Sequence, residues 1–218
     1  MERYKREFIQ FLAEAGVLKF GDFTAKSGRK LPYFINAGEI RTGARITRLG
    51  EFYAEAYLQK LGRKPAVLFG PAYKGIPLAV AAASALAAKG LDVPFFFNRK
   101  EAKDHGEGGV FVGYVPRAGE EVVIIEDVIT AGTAIRESMA LLGPLEGVRV
   151  AAAFVMVDRK EKGQGERSAM AEVEAEFGFP VCSVADVYDV LEFLREDPAN
   201  GEHVARIEAY LSVNGAKA

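Results

Sequence analysis

From residue 67 onward, short unbroken apolar runs alternate with longer stretches whose apolar positions recur at helical spacing. Val67 to Phe69 predicts a strand, and the Ala-rich segment from Ile76 to Ala88 predicts a helix. Pro94 to Phe97 predicts the next strand, with Val110 to Val115 returning as its antiparallel partner. Val122 to Ile125 is wholly β-branched and predicts a strand, followed by a helix from about Thr133 to Leu142 that the Gly-Pro pair at 143–144 terminates. Val148 to Val157 predicts a strand, Ser168 to Phe177 a helix, and Val181 to Val184 a last buried strand. Apolar strands alternating with helices imply βαβ units. The predicted fold class is therefore α/β, a mainly parallel central sheet flanked by helices.

The first 40 or so residues fit this pattern less well. "FTAKSGRKLPYFINAGEI" carries turn residues and alternating aromatics, which predicts a small N-terminal hood on a single domain spanning residues 1–218. The final "NGAKA" predicts a frayed end. No internal repeat, low-complexity tract or linker interrupts the pattern.

Composition narrows the function classes. The chain has 218 residues, half of them hydrophobic, enough for a domain that buries roughly 70% of its unfolded surface. A net charge of −2 supplies no global basic field for nucleic acid or membrane. One cysteine, Cys182, excludes an intramolecular disulfide and suits a reducing compartment. "MERYKREFIQFLAEAG" lacks the apolar core of a signal peptide, and "IPLAVAAASALAA" is shorter than the roughly 20 residues a bilayer needs. A cytoplasmic location with no membrane partner is expected.

The chemistry concentrates where the 122–125 strand ends. In an open parallel sheet, ligands sit beyond the carboxyl ends of the strands, and Glu126 and Asp127 lie at such an end. Adjacent carboxylates raise each other's proton affinity and are tolerated where they accept hydrogen bonds from sugar hydroxyls or lie near a metal. The following "TAGT", residues 130–133, supplies the hydroxyls of Thr130 and Thr133, a glycine at 132 and unpaired N–H groups at a helix start. That combination suits phosphate. The order reads as diol binders and then a phosphate cradle, as for a ribose 5-phosphate. It is neither a Walker loop nor a GxGxxG fingerprint. The same residues also fit a surface acidic pair before an ordinary helix cap.

Other segments are open when read alone. "GPAYKG" at 70–75 fits a turn with a solvent lysine, and "NRKEAKDHGEGG" at 98–109 fits an exposed hairpin loop. Phe34 fits a core aromatic and Arg159 a surface arginine after a strand. No His, Cys and carboxylate spacing suggests a structural zinc site.

Together, "VVIIEDVITAGTA", "FTAKSGRKLPYFINAG", "GPAYKGIPLA" and "NRKEAKDHGEGG" resemble the type I phosphoribosyltransferases, and within them the orotate phosphoribosyltransferase family, from about residue 20 to residue 160. The resemblance implies Mg²⁺-dependent transfer of ribose 5-phosphate from 5-phosphoribosyl 1-diphosphate to orotate. It also implies a homodimer that shares the loop 99–109 across its interface. By the family pattern, the donor is bound by Lys26, Tyr73, Lys74, Arg99, Lys100, Lys103 and His105 and by the loop Glu126, Asp127, Val128, Ile129, Thr130, Ala131, Gly132, Thr133 and Ala134. Lys26, Phe34, Ile35, Thr130 and Arg159 bind orotate. Lys103 is the principal catalytic group, with His105 and Asp127 in support. The metal has no direct protein ligand and is held mainly by substrate and water. The segment 99–109 is a lid that is mobile without ligand. The pattern further points to a cis peptide between Ala72 and Tyr73. Many relatives have a second aromatic where this chain has Ile35, which shifts contact there toward backbone groups.

Two rival readings remain. A purine phosphoribosyltransferase would need a different hood and generally lacks "RKEAKDHG". A donor-sensing regulator that binds nucleic acid would need a basic face or an added helix pair, which this charge balance does not suggest.

Overall fold

The computed structural model describes the chain apart from residues 26–27, 104–108, 130, 164 and 217–218, and apart from the side chains of 102 and 103. Its centre is a six-stranded sheet built from β3 (Val67–Gly70), β4 (Phe95–Lys103), β5 (Gly109–Gly113), β6 (Glu121–Ile125), β7 (Arg149–Asp158) and β8 (Val181–Asp186), in the order β5-β4-β3-β6-β7-β8. All neighbours are parallel except β4 and β5, which pair antiparallel at one edge. Helices α3 (Gly75–Ala88), α4 (Thr133–Leu142) and α5 (Ala169–Phe177) make the crossovers β3–β4, β6–β7 and β7–β8.

The apolar runs of β3 and β6 follow from burial on both faces. Leu68, Val123 and Ile125 join one core cluster, whereas Val67, Phe69, Val122 and Ile124 join the other. The first cluster gathers α1 (Arg3–Glu14), α2 (Gly43–Leu61), α3, α6 (Val187–Arg195) and α7 (Gly201–Asn214), and the second gathers α4 and α5. Strands β1 (Leu18–Thr24) and β2 (Lys30–Ile35) form a separate antiparallel ribbon. Leu31 and Tyr33 of that ribbon are buried in the first core. No helix among the described residues is long and apolar enough to cross a membrane.

Two boundaries differ from expectation. The strand predicted over 94–97 runs on to Lys103, because its polar half pairs with β5 at the sheet edge, where one face can stay in water. The end expected to fray is tied down through residue 216. Lys162 N–H donates to the Asn214 carbonyl at 3.0 Å, and Ala216 N–H donates to that of Lys160 at 2.8 Å.

Candidate active site

Parallel pairing brings the carboxyl ends of β4, β3, β6 and β7 to one edge of the sheet. In that order these ends carry Arg99 and Lys100, then Tyr73 and Lys74, then Glu126 and Asp127, and finally Arg159.

The acidic pair is not a surface feature. Glu126 is 7% exposed and Asp127 6%. The Glu126 N–H donates to the Phe154 carbonyl at 2.9 Å, and Met156 N–H donates to the Asp127 carbonyl at 2.8 Å, so β7 grips the backbone of both. Glu126 Oε1 accepts the Asp127 N–H at 2.9 Å, and Asp127 Oδ1 accepts the Val128 N–H at 2.8 Å. Lys74 Nζ lies 2.6 Å from Asp127 Oδ2. The lysine side chain is 60% exposed, so it anchors the carboxylate while still facing the cleft.

Burial pushes the Glu126 carboxyl up to about 7; the nearby charge of Asp127 adds to this, whereas the hydrogen bond from the Asp127 N–H opposes it. In the unfolded chain the group titrates near 4.5, so below that pH it is protonated in both states and burial carries no ionic penalty. The penalty grows as pH rises from 4.5 and is complete above about 7. Glu126→Gln keeps the acceptor for Asp127 N–H and removes the charge. It is expected to stabilise the ligand-free protein by about 1–3 kcal/mol at pH 8 and by almost nothing at pH 4. Paired thermal melts at the two pH values check this.

Helices α3 and α4 both start at this edge, and neither start is capped by its N-cap side chain. Their positive dipole ends are therefore open to an anion, although the first N–H of α3, that of Gly75, donates to the Pro71 carbonyl at 3.0 Å. At α3 the approach is close: a Cβ on Gly75 would lie 2.5 Å from Pro71 Cδ and 2.8 Å from the Ile125 carbonyl. Only glycine lets α3 begin against β6, which is what sets Lys74 beside Asp127. The Ala72–Tyr73 peptide is cis. At α4 the N-cap Gly132 has φ 74°, and a Cβ there would meet Val173 Cγ2 at 2.7 Å. Gly132→Ala is expected to lose about 1–3 kcal/mol of stability, which thermal melting measures.

The remaining donor-side residues are placed unevenly. Tyr73 is 71% exposed, with Lys100 Nζ 5.9 Å from its ring centre, and Tyr73 and Lys74 line a cavity of about 490 Å³ against residues 37–42. The Arg99 guanidinium is turned away, donating from Nη1 to the carbonyls of Gly109 at 3.1 Å and Phe111 at 3.2 Å. Val128 bridges to Val157, Ile129 is buried, the Ala131 carbonyl accepts from Arg136 Nη1, and Thr133 and Ala134 open α4. Lys26, His105 and Thr130 lie outside the described residues, as does the side chain of Lys103 and the lid tip at 104–108.

A second cavity, of about 320 Å³, adjoins the acidic pair's loop and is lined by Leu31, Ile129, Ala131, Arg159 and Glu161 among others. Arg159 is largely buried, with its guanidinium 5.3 Å from the centre of the Tyr33 ring. Phe34 is half-exposed on β2 and stacks on Phe23 at 5.5 Å, whereas Ile35 packs onto the core. A larger cavity of about 740 Å³ lies between α1, α2 and α3, and none of the predicted site residues line it. Among the described residues, no three His, Cys, Asp or Glu side chains are grouped to hold a metal.

The pattern of the phosphoribosyl transferase domain matches residues 36–182. The orotate phosphoribosyltransferase of Pseudomonas aeruginosa (PAO1) is 53% identical over 216 residues, covering 99% of this chain and all of that one. That of Clostridium beijerinckii is 47% identical, with both chains fully covered. The chain belongs to the orotate phosphoribosyltransferase family. A solved orotate phosphoribosyltransferase from Francisella tularensis superposes with a TM-score of 0.84 at 38% identity, covering 96% of this chain and 100% of that one.

Two residues of this family member that sequence reasoning missed hold the site from behind. Tyr53 on α2 is fully buried, and its hydroxyl donates to the Glu126 carbonyl at 2.6 Å. Burial and the two carboxylates push that hydroxyl far above its usual range, so it stays a donor. Asn98 is also buried: its Oδ1 accepts the Ala72 N–H at 2.9 Å, and its Nδ2 donates to the Arg99 carbonyl at 3.2 Å. It thus links the "GPAYKG" turn to the start of the polar half of β4. The only signal in the sequence was a polar residue closing an aromatic run.

Proposed function

We propose that this protein transfers ribose 5-phosphate from 5-phosphoribosyl 1-diphosphate to orotate, forming orotidine 5′-monophosphate and pyrophosphate in the de novo pathway to UMP. The observation that carries the reading is the buried Glu126–Asp127 pair running directly into the uncapped start of α4, with Lys74 in contact. The carboxylates accept hydrogen bonds from the ribose 2′- and 3′-hydroxyls, while the N–H groups of residues 131–134, with Thr130 and Thr133, hold the 5-phosphate. Breaking the bond at the anomeric carbon builds positive charge on the ribose and negative charge on diphosphate. Asp127 and Glu126 lie beside the former, and Tyr73, Lys74, Lys100, Lys103 and His105 draw off the latter, joined by Arg99 once its guanidinium leaves the carbonyls of Gly109 and Phe111.

Magnesium belongs to this reading as a substrate-borne ion. The site offers hard carboxylate oxygens, one of them already engaged by Lys74, which fits an ion that takes most of its ligands from phosphate and water. When bound, it would neutralise diphosphate charge. Asp127 is the residue able to reach it through water.

The β1–β2 ribbon serves as the hood. Phe34, Ile35 and Lys26 cover the base, and Arg159 takes its carboxylate through the fork geometry that lysine cannot reproduce. Arg159→Lys is expected to raise the KM for orotate by about 10- to 100-fold while leaving the donor KM nearly unchanged. Steady-state kinetics with each substrate varied in turn measure this. Family resemblance further supports a cytoplasmic homodimer in which the tip of the 99–109 segment closes over the diphosphate of the neighbouring subunit. The deciding assay offers the protein Mg²⁺, the donor and one base at a time. Consumption of orotate is expected; ribosylation of adenine or hypoxanthine with orotate untouched would contradict the assignment.

A further inference from the structure

Arg159 shares its cavity with Glu161, a residue to which the site described so far gives no task. Glu161 Oε1 lies 2.5 Å from Arg159 Nη2, and its Oε2 lies 3.5 Å from Arg29 Nη1. The side chains of Arg159 and Glu161 are both largely buried, 17% and 16% exposed. Yet the pair is poorly matched. Arg159 Nε and Nη2 and Glu161 Oε1 are all buried without a hydrogen bond of proper geometry among the described residues. Nε and Nη2 form one edge of the guanidinium, the edge that takes both oxygens of a carboxylate. Native proteins rarely leave buried charged donors unmatched, and such an edge suits an acid brought in from outside.

The charges agree. Two guanidinium groups, Arg29 and Arg159, face one carboxylate, Glu161. Among the described residues, the other charged groups lining the cavity are already engaged, Asp158 by Lys160 at 2.8 Å and Lys162 by Glu166 at 3.4 Å. One positive charge is left among the described residues for a monovalent anion.

Resting on the reading that orotate occupies this cavity, we propose that Glu161 is a displaceable counter-ion, which pairs with Arg159 until the base's carboxylate takes the Nε–Nη2 edge and then turns to Arg29. The base therefore competes with an internal acid for Arg159. The product, which keeps the same carboxylate, is held less tightly than the guanidinium alone would hold it and is released more readily. A pyrimidine without the carboxylate cannot displace Glu161 and gains nothing from Arg159.

The test is calorimetric titration of the full chain with orotidine 5′-monophosphate and with uridine 5′-monophosphate, which differ only in that carboxylate. Glu161→Gln removes the competing charge and keeps the shape. It is expected to bind orotidine 5′-monophosphate roughly tenfold more tightly and to leave uridine 5′-monophosphate within about twofold. The KM for orotate falls in parallel and that for the donor does not move. Glu161→Asp, which withdraws the charge by one methylene, is expected to shift the same preference in the same direction by less, and it serves where the Gln variant does not fold. Weaker or unchanged binding of orotidine 5′-monophosphate by the variant that folds would overturn the proposal, and so would an equal shift for both nucleotides. A wild-type protein that leaves orotate untouched and does not distinguish the two nucleotides sinks the proposed function itself. A wild-type preference that the variants fail to increase sinks only the role of Glu161.

Discussion

Replacing Lys103 with alanine is expected to lower kcat by roughly 10²- to 10³-fold, the loss typical when one group aimed at developing charge is removed. Lys103 is the last residue of β4 and pairs with Gly109 at the foot of β5, so its backbone stands where the hairpin leaves the sheet edge. In the proposed reaction the charge that grows most is on the departing diphosphate. In that reading, a cation on a hairpin that closes over the donor would meet the charge only in the shut site, and so would act on the transition state more than on the bound substrates. The expected signature is a fall in kcat with the orotate KM little changed. An unchanged kcat would move the role to Lys100 or Arg99. The latter would first have to leave the carbonyls of Gly109 and Phe111.

Asp127→Asn is the second large effect, an expected loss of roughly 10²- to 10³-fold in kcat/KM for the donor. The variant keeps a side-chain oxygen for the Val128 N–H and replaces the oxygen facing Lys74 with a donor. It therefore loses both the anchor for Lys74 and the charge beside the ribose. Magnitudes separate this from a folding defect. Because Asn removes the buried charge instead of stranding it, and the exposed Lys74 rehydrates, the stability change should be well below the roughly 3–5 kcal/mol of a stranded buried charge. A variant that folds and melts like wild type yet binds the donor poorly is the expected result. Melting that falls in proportion to activity would instead make Asp127 a structural residue.

The sheet was readable because its central strands are buried on both faces. Val67 to Phe69, Val122 to Ile125, Val148 to Val157 and Val181 to Val184 each fall within an observed strand to within a residue or two. The parallel order then fixes the edge at which the carboxyl ends of the central strands gather. Helix α2 was harder to read: it buries Gly50, Tyr53 and Tyr57, poor helix formers whose places are set by packing. A Cβ on Gly50 would run into the backbone of Ala81 on α3, a contact no local pattern reveals. The helices after β8 were likewise missed, although Asp186 and Asp189 form a capping box at the start of α6.

Within the site, the acidic pair at the end of β6 and the glycine turn that opens α4 were legible from their spacing, whereas Lys74, which alone reads as a solvent lysine in a turn, was legible only by resemblance. Arg159 was legible only by resemblance. Alone it reads as a surface arginine, and its burial under Tyr33 comes from the β1–β2 ribbon folding across the end of β7. Tyr53 and Asn98 act through contacts spanning 73 and 26 residues of sequence, beyond any window, whereas Glu161 sits two residues from Arg159 and reaches Arg29 across 132 residues.

A crystal structure with 5-phosphoribosyl 1-diphosphate and Mg²⁺ bound tests the central claim most directly. The predicted result has the ribose hydroxyls on Glu126 and Asp127 and the 5-phosphate on the turn formed by residues 130–134. A donor held with its 5-phosphate on any other segment would contradict it.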